Sequence, residues 1–306
     1  MAGAFTHMAI VSEATKSFQP GKPFGDSLRV YRNFLTLGSV SPDIPYLAHL
    51  SLKDAFDWAD IMHYHQTNRL VQNAVHSLAV AKTRSKFWKA QLAWLLGFVG
   101  HLVSDASIHP IVESIVGPYT DKDTNANHTE CEMTQDVLIM KDVLNLEVTS
   151  AEYSDLLRAG FDSPSFNKVA EFWVRHAEVN CPMAGKFPID AVVSSYIDML
   201  DTAEGGNALA RVFRHFGLNF VYRTNNDLNK KAPDLVEKYY DKIKLPNGLT
   251  GSFKKDGFDF TVSNVVNVWS KIERSLFSTD NITDFVSNWN LDTGIDQDIN
   301  KSTYWS

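Results

Sequence analysis

The stretch that decides the fold is GHLVSDASIHP, residues 100–110. His101, Asp105 and His109 are spaced four residues apart, so on an α-helix each is rotated by about 40° from the last and all three share one face. The surrounding segment 87–107 is apolar on nearly every face, which predicts a buried central helix. A buried carboxylate between two imidazoles is costly unless it is paired or binds a cation. The spacing therefore favours metal ligation over a hydrogen-bonded polar seam in the core.

A second row of ligand-type residues follows in HTECEMTQD, residues 128–136. His128, Glu132 and Asp136 repeat the four-residue spacing on the next predicted helix. Alone this motif is ambiguous, because acidic residues also suit the first turn of a helix. Two helices can present facing rows of ligands across one cleft, so the two motifs together predict a shared metal site.

Three further candidates occur as isolated residues: Asp43 in the turn GSVSPDIP, His65 in HYHQT, and His7 in AFTH. Taken alone, each of these three residues is more typical of a turn, a helix cap or the core than of a metal site. His63 precedes His65 by two residues and is expected to face elsewhere if the helix has already begun.

The rest of the chain is also mostly helical by pattern. Apolar spacing predicts a helix over 65–82 and a short amphipathic one over 9–18. Four prolines predict an irregular segment over 19–53, residues 117–127 form a polar loop, and the Gly-rich 244–261 favours a hairpin or a mobile loop. Further helices are predicted near 128–143, 151–159, 166–179, 188–201, 205–216, 232–243, 262–276 and 281–288.

These elements predict an all-α fold in one multi-helix domain that spans residues 1–306. Residues 1–145 would carry the metal ligands, and residues 146–306 would complete the core and the substrate cleft.

Composition limits the classes of partner. The formal net charge of −7 and the lack of a basic cluster argue against a nucleic-acid binder. Cys131 and Cys181 are too few for a disulfide framework and form no CxxC metal motif. The N-terminus shows no signal-peptide pattern, and the apolar run 92–103 is too short to span a bilayer. We expect no transmembrane segment, and a protein that is either cytoplasmic or exported by a route without a visible signal.

The order of these ligand-type residues resembles the zinc-dependent phospholipase C family, which groups with single-strand-specific fungal nucleases and the GPI-specific phospholipase D catalytic domain. The stretches AFTHMAI, LGSVSPD, HQTNRLVQNAVH and LLGFVGHLVSDASIHP look most similar to that catalytic domain and its bacterial relatives. The family order is a His, an Asp in a turn, a His, HxxxD, a further His and HxxxE. Here it reads His7, Asp43, His65, His101, Asp105, His109, His128 and Glu132.

The resemblance implies about three zinc ions. One would be bound by Asp43, His65, His101 and Asp105, a second by His109, His128 and Glu132, and a third by His7 with Asp105 as a bridge. Asp136 would lie behind the ligands and orient a ligand histidine. Such mixed imidazole and carboxylate sites suit zinc and also accept other divalent transition metals.

The resemblance also implies a metal-dependent phosphodiesterase that hydrolyses phospholipids at a membrane surface. A zinc-bound hydroxide would attack phosphorus in the manner of a C-type phospholipase, with Asp43 as a catalytic residue that assists proton removal. Phospholipase D-type cleavage and GPI-anchor cleavage remain alternatives with the same metals. A single-strand nuclease is a further alternative, which the acidic charge disfavours. A metal-stabilised module without turnover is disfavoured by the complete ligand set.

Overall fold

Helices account for most of the regular structure in the computed structural model, which describes residues 3–48, 53–118, 125–148, 152–204, 222–277 and 284–305. The all-α fold predicted from the sequence is confirmed. In chain order the helices are α1 (Ala4–Ser17), α2 (Lys22–Val30), α3 (Arg32–Gly38), α4 (Ile44–Ala48), α5 (Lys53–Tyr64), α6 (Thr67–Ala79), α7 (Lys86–Val116), α8 (Asn125–Ile139), α9 (Glu152–Phe161), α10 (Phe166–Asn180), α11 (Ile189–Glu204), α12 (Asn225–Lys231), α13 (Pro233–Val236) and α14 (Phe260–Phe277). Shorter helical turns cover Met140–Leu144, Pro182–Ala184, Glu237–Asp241 and Phe253–Asp259.

The strands of the described residues are two residues long. Strand β1 (Ile243–Lys244) pairs antiparallel with β2 (Thr250–Gly251), so the hairpin predicted within 244–261 is confirmed for its first part, while Phe253–Asp259 is helical. A three-stranded antiparallel sheet near the C-terminus has the order β3–β4–β5. Its strands are β3 (Trp289–Asn290), β4 (Ile295–Asp296) and β5 (Lys301–Ser302).

Helix α7 forms the centre of the fold. The Ser85 side chain caps it by accepting a hydrogen bond from the Trp88 N–H at 3.3 Å. Helices α1, α2, α3, α10 and α14 all pack against it. Within the described residues α7 is the one helix whose length and apolar composition would suffice to cross a membrane, but its apolar part is entirely buried in the protein.

Two glycines let α3 and α7 approach each other at backbone distance. A Cβ atom on Gly97 would lie 2.1 Å from the Leu35 carbonyl oxygen, and one on Gly38 would lie 2.1 Å from the Trp94 carbonyl oxygen. Any larger residue at either position would push the helices apart. This contact brings the chain just after α3 against the α7 turn that leads to His101.

The irregular segment predicted over 19–53 is wrong, because it contains α2, α3 and α4. Pro23 is the second residue of α2 and Pro45 is the second residue of α4. Proline is well tolerated there, because the first N–H groups of a helix have no partner within the helix. These prolines mark helix starts.

The helices predicted after residue 125 lie within a few residues of the observed ones, with two exceptions. The helix predicted near 205–216 falls outside the described residues. The helix predicted over 281–288 is wrong where the structure describes it, because residues 284–288 are non-helical and lead into β3.

Candidate metal centre

The ligand row on α7 faces one point, as its spacing predicts. His101 Nε2 lies 3.1 Å from Asp105 Oδ2, and His109 Nε2 lies 3.1 Å from Asp105 Oδ1. All three residues are completely buried. The carboxylate of Asp105 is therefore held between two imidazoles of its own helix.

Two residues from earlier in the chain join this row. His7 of α1 places Nε2 3.2 Å from Asp105 Oδ1, and its ring stacks on that of His101 with 4.0 Å between centroids. Asp43, in the turn between α3 and α4, places Oδ1 3.8 Å from His101 Nε2. The structure thus brings together five of the residues that the sequence singled out.

His63, and not His65, completes this group. His63 Nε2 lies 3.2 Å from Asp43 Oδ1 and 3.9 Å from Asp105 Oδ2, and the side chain is completely buried. His65 is exposed and lies beyond the end of α5. The geometry therefore favours His63 over the predicted His65 as a candidate ligand.

Two overlapping sets of side chains could each hold a metal ion. Within the described residues the ligand atoms of His7, His101 and Asp105 all lie within 4.8 Å of one another, and so do those of Asp43, His63 and His101. Imidazole nitrogens and carboxylate oxygens are the donors that zinc uses in proteins.

Several of these donor atoms have no hydrogen bond despite the short distances between them. Both ring nitrogens of His7, Nε2 of His101 and both carboxylate oxygens of Asp105 are buried without a hydrogen-bond partner. Buried polar atoms without partners destabilise a fold, whereas a bound cation would satisfy the atoms that face the site. The donor set therefore fits a metal ion.

Backbone carbonyls orient the imidazoles toward the site. His101 Nδ1 lies 2.9 Å from the Ser39 carbonyl oxygen, and His63 Nδ1 lies 2.8 Å from that of Ala59. Because a carbonyl oxygen only accepts, Nδ1 carries the proton in both rings and Nε2 is the atom presented to the site. This arrangement is typical of metal-ligating histidines. No sequence pattern indicated a role for Ser39 or Ala59, because they act through their backbone carbonyl groups.

Comparison with known proteins agrees with this geometry. A family model described as "Zinc dependent phospholipase C" matches residues 6–182. The chain belongs to the zinc-dependent phospholipase C family. No curated protein and no solved structure matches the chain significantly. The closer likeness to the GPI-specific phospholipase D catalytic domain stays a prediction.

Another ligand set that the phospholipase C resemblance implies consists of His109, His128 and Glu132. His128 is buried, and its Nε2 donates to the Gly117 carbonyl oxygen at 2.7 Å. Burial lowers the pKa of His128; the nearby Glu132 raises that pKa, and His109 lowers it further. The three side chains thus interact electrostatically. Their joint ligation of one ion stays a prediction.

The charges of the two central carboxylates are stabilised by imidazoles. Burial raises the pKa of Asp105, but electrostatic interaction with His109, His101 and His7, together with the short contact from His101, outweighs burial and holds that pKa well below its ordinary value. Burial likewise raises the pKa of Asp43, while His101 and His63 lower it and prevail. Both carboxyl groups therefore favour the ionised form, and their negative charge would attract a bound cation.

The hydrogen bonds of Asp136 go to Thr6 and Tyr222, and its predicted role in orienting a ligand histidine stays a prediction. Its Oδ1 accepts hydrogen bonds from the Thr6 N–H at 2.8 Å and the Thr6 hydroxyl at 2.6 Å, and its Oδ2 accepts from the Tyr222 hydroxyl at 2.8 Å. A Cβ on Gly3 would lie 2.0 Å from this carboxylate. Asp136 therefore anchors the N-terminus of α1, one residue before His7. Thr6 and Tyr222, which sequence reasoning missed, are brought together by the fold alone.

Proposed function

We propose that this chain is a metal-dependent phosphodiesterase that hydrolyses glycerophospholipids between the glycerol oxygen and phosphorus, as C-type phospholipases do. One observation carries the proposal: in a member of the zinc-dependent phospholipase C family, six buried histidine and aspartate side chains converge with successive donor atoms 3.1–3.9 Å apart. The proposed reaction consumes water and releases diacylglycerol and a phosphorylated head group.

The proposed ligand assignment follows the three sets of side chains. Asp43, His63, His101 and Asp105 would hold one zinc ion, His7 and Asp105 a second, and His109, His128 and Glu132 a third. The two oxygens of Asp105 support its role as a bridge, because Oδ1 faces His7 and His109 while Oδ2 faces His101.

Asp43 is suited to exchange protons with substrate and water. Its side chain retains 8% exposure, whereas those of His63, His101 and Asp105 retain none, so Asp43 is the most exposed of these four residues. Bound zinc supplies a Lewis acid for the phosphoryl oxygens and lowers the pKa of coordinated water to about 7. The ionised Asp43 carboxylate would accept a proton from the attacking water, as a general base does.

The test is hydrolysis of lipid and nucleic acid in parallel. Zinc-loaded protein is incubated with mixed phospholipid vesicles and with single-stranded DNA, each with and without a chelator, and products are identified by mass spectrometry. We expect diacylglycerol from the wild type and from His65→Ala, and none from Asp105→Asn or after chelation. His65→Ala is the matched control, since this histidine is exposed.

Each other result of this test would lead to a different conclusion. Phosphatidic acid in place of diacylglycerol would identify D-type cleavage. Cut DNA with intact lipid would replace the lipase with a nuclease, although the net charge of −7 opposes a polyanion. Equal lipid turnover by Asp105→Asn would overturn the proposed site.

A further inference from the structure

The end of helix α5, which carries His63, is capped by residues from the far end of the chain. The Leu291 N–H donates to the His63 carbonyl oxygen at 3.1 Å, and Gln297 Nε2 donates to the Tyr64 carbonyl oxygen at 3.0 Å. The last carbonyl groups of a helix have no partner within the helix. Here they are satisfied by the C-terminal hairpin, which we define as strands β3–β5 with their turns, residues 289–302.

Side chains strengthen this contact on both sides of the turn that follows α5. The Tyr64 hydroxyl donates to Asp292 Oδ2 at 3.0 Å, and the Trp289 N–H donates to the Thr67 hydroxyl at 2.9 Å. Between them the chain passes through Gln66, whose φ of 53° is left-handed. The C-terminal hairpin thus fixes both the end of α5 and the start of α6.

The same segment also rests on the ligand helix α7. Gly294 adopts a φ of 64°, and a Cβ there would lie 2.4 Å from the Ala106 carbonyl oxygen. Trp305, just beyond the C-terminal hairpin, donates its Nε1–H to the Ser107 carbonyl oxygen at 2.7 Å. Ala106 and Ser107 directly follow Asp105. One segment therefore bridges the end of α5 and the ligand turn of α7.

We propose that the C-terminal hairpin is a positioning element of the metal centre, which sets His63 against Asp43 and Asp105. It lies outside residues 6–182, which match the family model. The inference rests on the metal centre proposed above and not on its substrate. Loss of groups that orient metal ligands typically weakens metal affinity about 10–100-fold.

Two glycine substitutions distinguish a positioning role at the metal centre from the effect of backbone strain alone. Gly294→Ala and Gly248→Ala both place alanine at a positive φ, 64° and 83°, so both strain the backbone. Only at Gly294 does the new Cβ meet another element, since nothing lies within 4 Å of one at Gly248. Gly294→Ala would displace the C-terminal hairpin from α7, and Gly248→Ala is the matched control.

The readout is metal affinity of the full chain. Chelator-stripped proteins are titrated with Zn²⁺ and Co²⁺ against a chromophoric chelator, and the Co²⁺ absorption spectrum reports the ligand field. We expect affinity for at least one ion to fall about tenfold or more in Gly294→Ala, with an altered Co²⁺ spectrum, and to be unchanged in Gly248→Ala.

Tyr64→Phe provides a second variant in case Gly294→Ala does not fold, because it removes only the Tyr64 hydroxyl, with its hydrogen bonds to Asp292 and Tyr46, and leaves the backbone intact. We expect weakening in the same direction. The proposal would be overturned if Gly294→Ala folds and has the metal affinity and the Co²⁺ spectrum of the wild type. If Gly294→Ala does not fold, the same result in Tyr64→Phe would overturn it. No lipid is present in this assay, so its failure is distinct from a failure of the proposed activity.

Discussion

Asp105 has three imidazole nitrogens within 3.2 Å of its two carboxylate oxygens and is completely buried. Within the described residues no lysine or arginine forms an ion pair with it. A buried carboxylate needs a nearby positive charge, which is either imidazolium or a metal ion. The residue that most needs a cation is thus the one that two of the proposed ligand sets share, and it also contacts His109 of the remaining set.

A pair of histidine substitutions tests the proposed ligand set. We expect His63→Ala to lose at least about tenfold in zinc affinity, because a ligand is removed, and His65→Ala to match the wild type. Competition titration of chelator-stripped proteins measures both. Weakened binding in His65→Ala with wild-type binding in His63→Ala would restore the original assignment.

The sequence offered one unused signal for His63. Trp58, Ala59 and Met62 are buried at helical spacing, and His63 lies four residues after Ala59 on that same face. A helix that continues through Tyr64 therefore turns His63 inward. The choice between His63 and His65 depends on where α5 ends, and helix ends are the boundaries that sequence patterns locate least well.

Asp136 predicts a pH dependence of stability. Burial raises its pKa from 3.8 to about 6, above its unfolded value, so folding favours the protonated carboxyl. That stability is present below about pH 4 and is lost as the pH rises through about 6. Relative to Asp136→Asn, which mimics the neutral acid, the wild type should lose at most ~3 kcal/mol in free energy of unfolding over this range.

Denaturant unfolding of both proteins at several pH values, with chelator present throughout, measures this difference. Taking the difference cancels the titration of the other acids. If the difference in free energy of unfolding between the wild type and Asp136→Asn does not change between about pH 4 and pH 7, then Asp136 ionises in the folded protein without loss of stability.

Among the elements, the pair α3 and α7 positions the metal centre. Their contact through Gly38 and Gly97 places the Ser39 carbonyl oxygen against His101 Nδ1. The ligand row of α7 was predictable, because it depends only on the helix period. The helix against which α7 packs depends on tertiary structure, which no local spacing encodes. Helices α2 and α4 were obscured by the prolines in their first turns.

Alanine at Gly97 tests this contact. The new Cβ would lie 2.1 Å from the Leu35 carbonyl oxygen, a backbone atom, so the helices must separate. We expect a loss of about 2–3 kcal/mol in free energy of unfolding, together with weaker zinc binding, measured by denaturant unfolding and metal titration.

Gly25→Ala is the control for that substitution, because Gly25 is also helical. Its Cβ would lie 3.3 Å from the end of the flexible Arg29 side chain and 3.3 Å from the ring of Pro20, and none of its nearest contacts is a backbone atom. Alanine there should be neutral or stabilise by up to about 1 kcal/mol through its helix propensity. Equal effects of the two substitutions would argue against a close contact between α3 and α7.

For the whole molecule, the metal centre joins parts of the chain that are far apart in sequence. His7, Asp43, His63 and the α7 row come from four separate elements. The motifs between residues 7 and 136 identified most of these residues and the family, because ligand chemistry restricts the residue types. No sequence motif indicated that the C-terminal hairpin contributes to the metal centre, because it acts through backbone groups and close contacts.

Metal removal should therefore lower the stability of the whole fold. Zinc at one hundred times its Kd stabilises a protein by about 2.7 kcal/mol per site. We expect chelation to lower the free energy of unfolding of the wild type by at least about that amount, and to have a smaller effect on Asp105→Asn, which lacks the ligand that two of the proposed sites share. The chelated variant should be as stable as the chelated wild type or more so, because it lacks a buried charge.

Anomalous diffraction at the zinc edge, from crystals of the zinc-loaded protein, would show directly whether zinc binds at the buried histidine and aspartate side chains. We expect one anomalous peak among Asp43, His63 and His101 and another among His7, His101 and Asp105. Within each of these groups the donor atoms lie within 4.8 Å of one another. The absence of any peak at these side chains, or zinc bound through His65 in place of His63, would contradict the proposed metal centre.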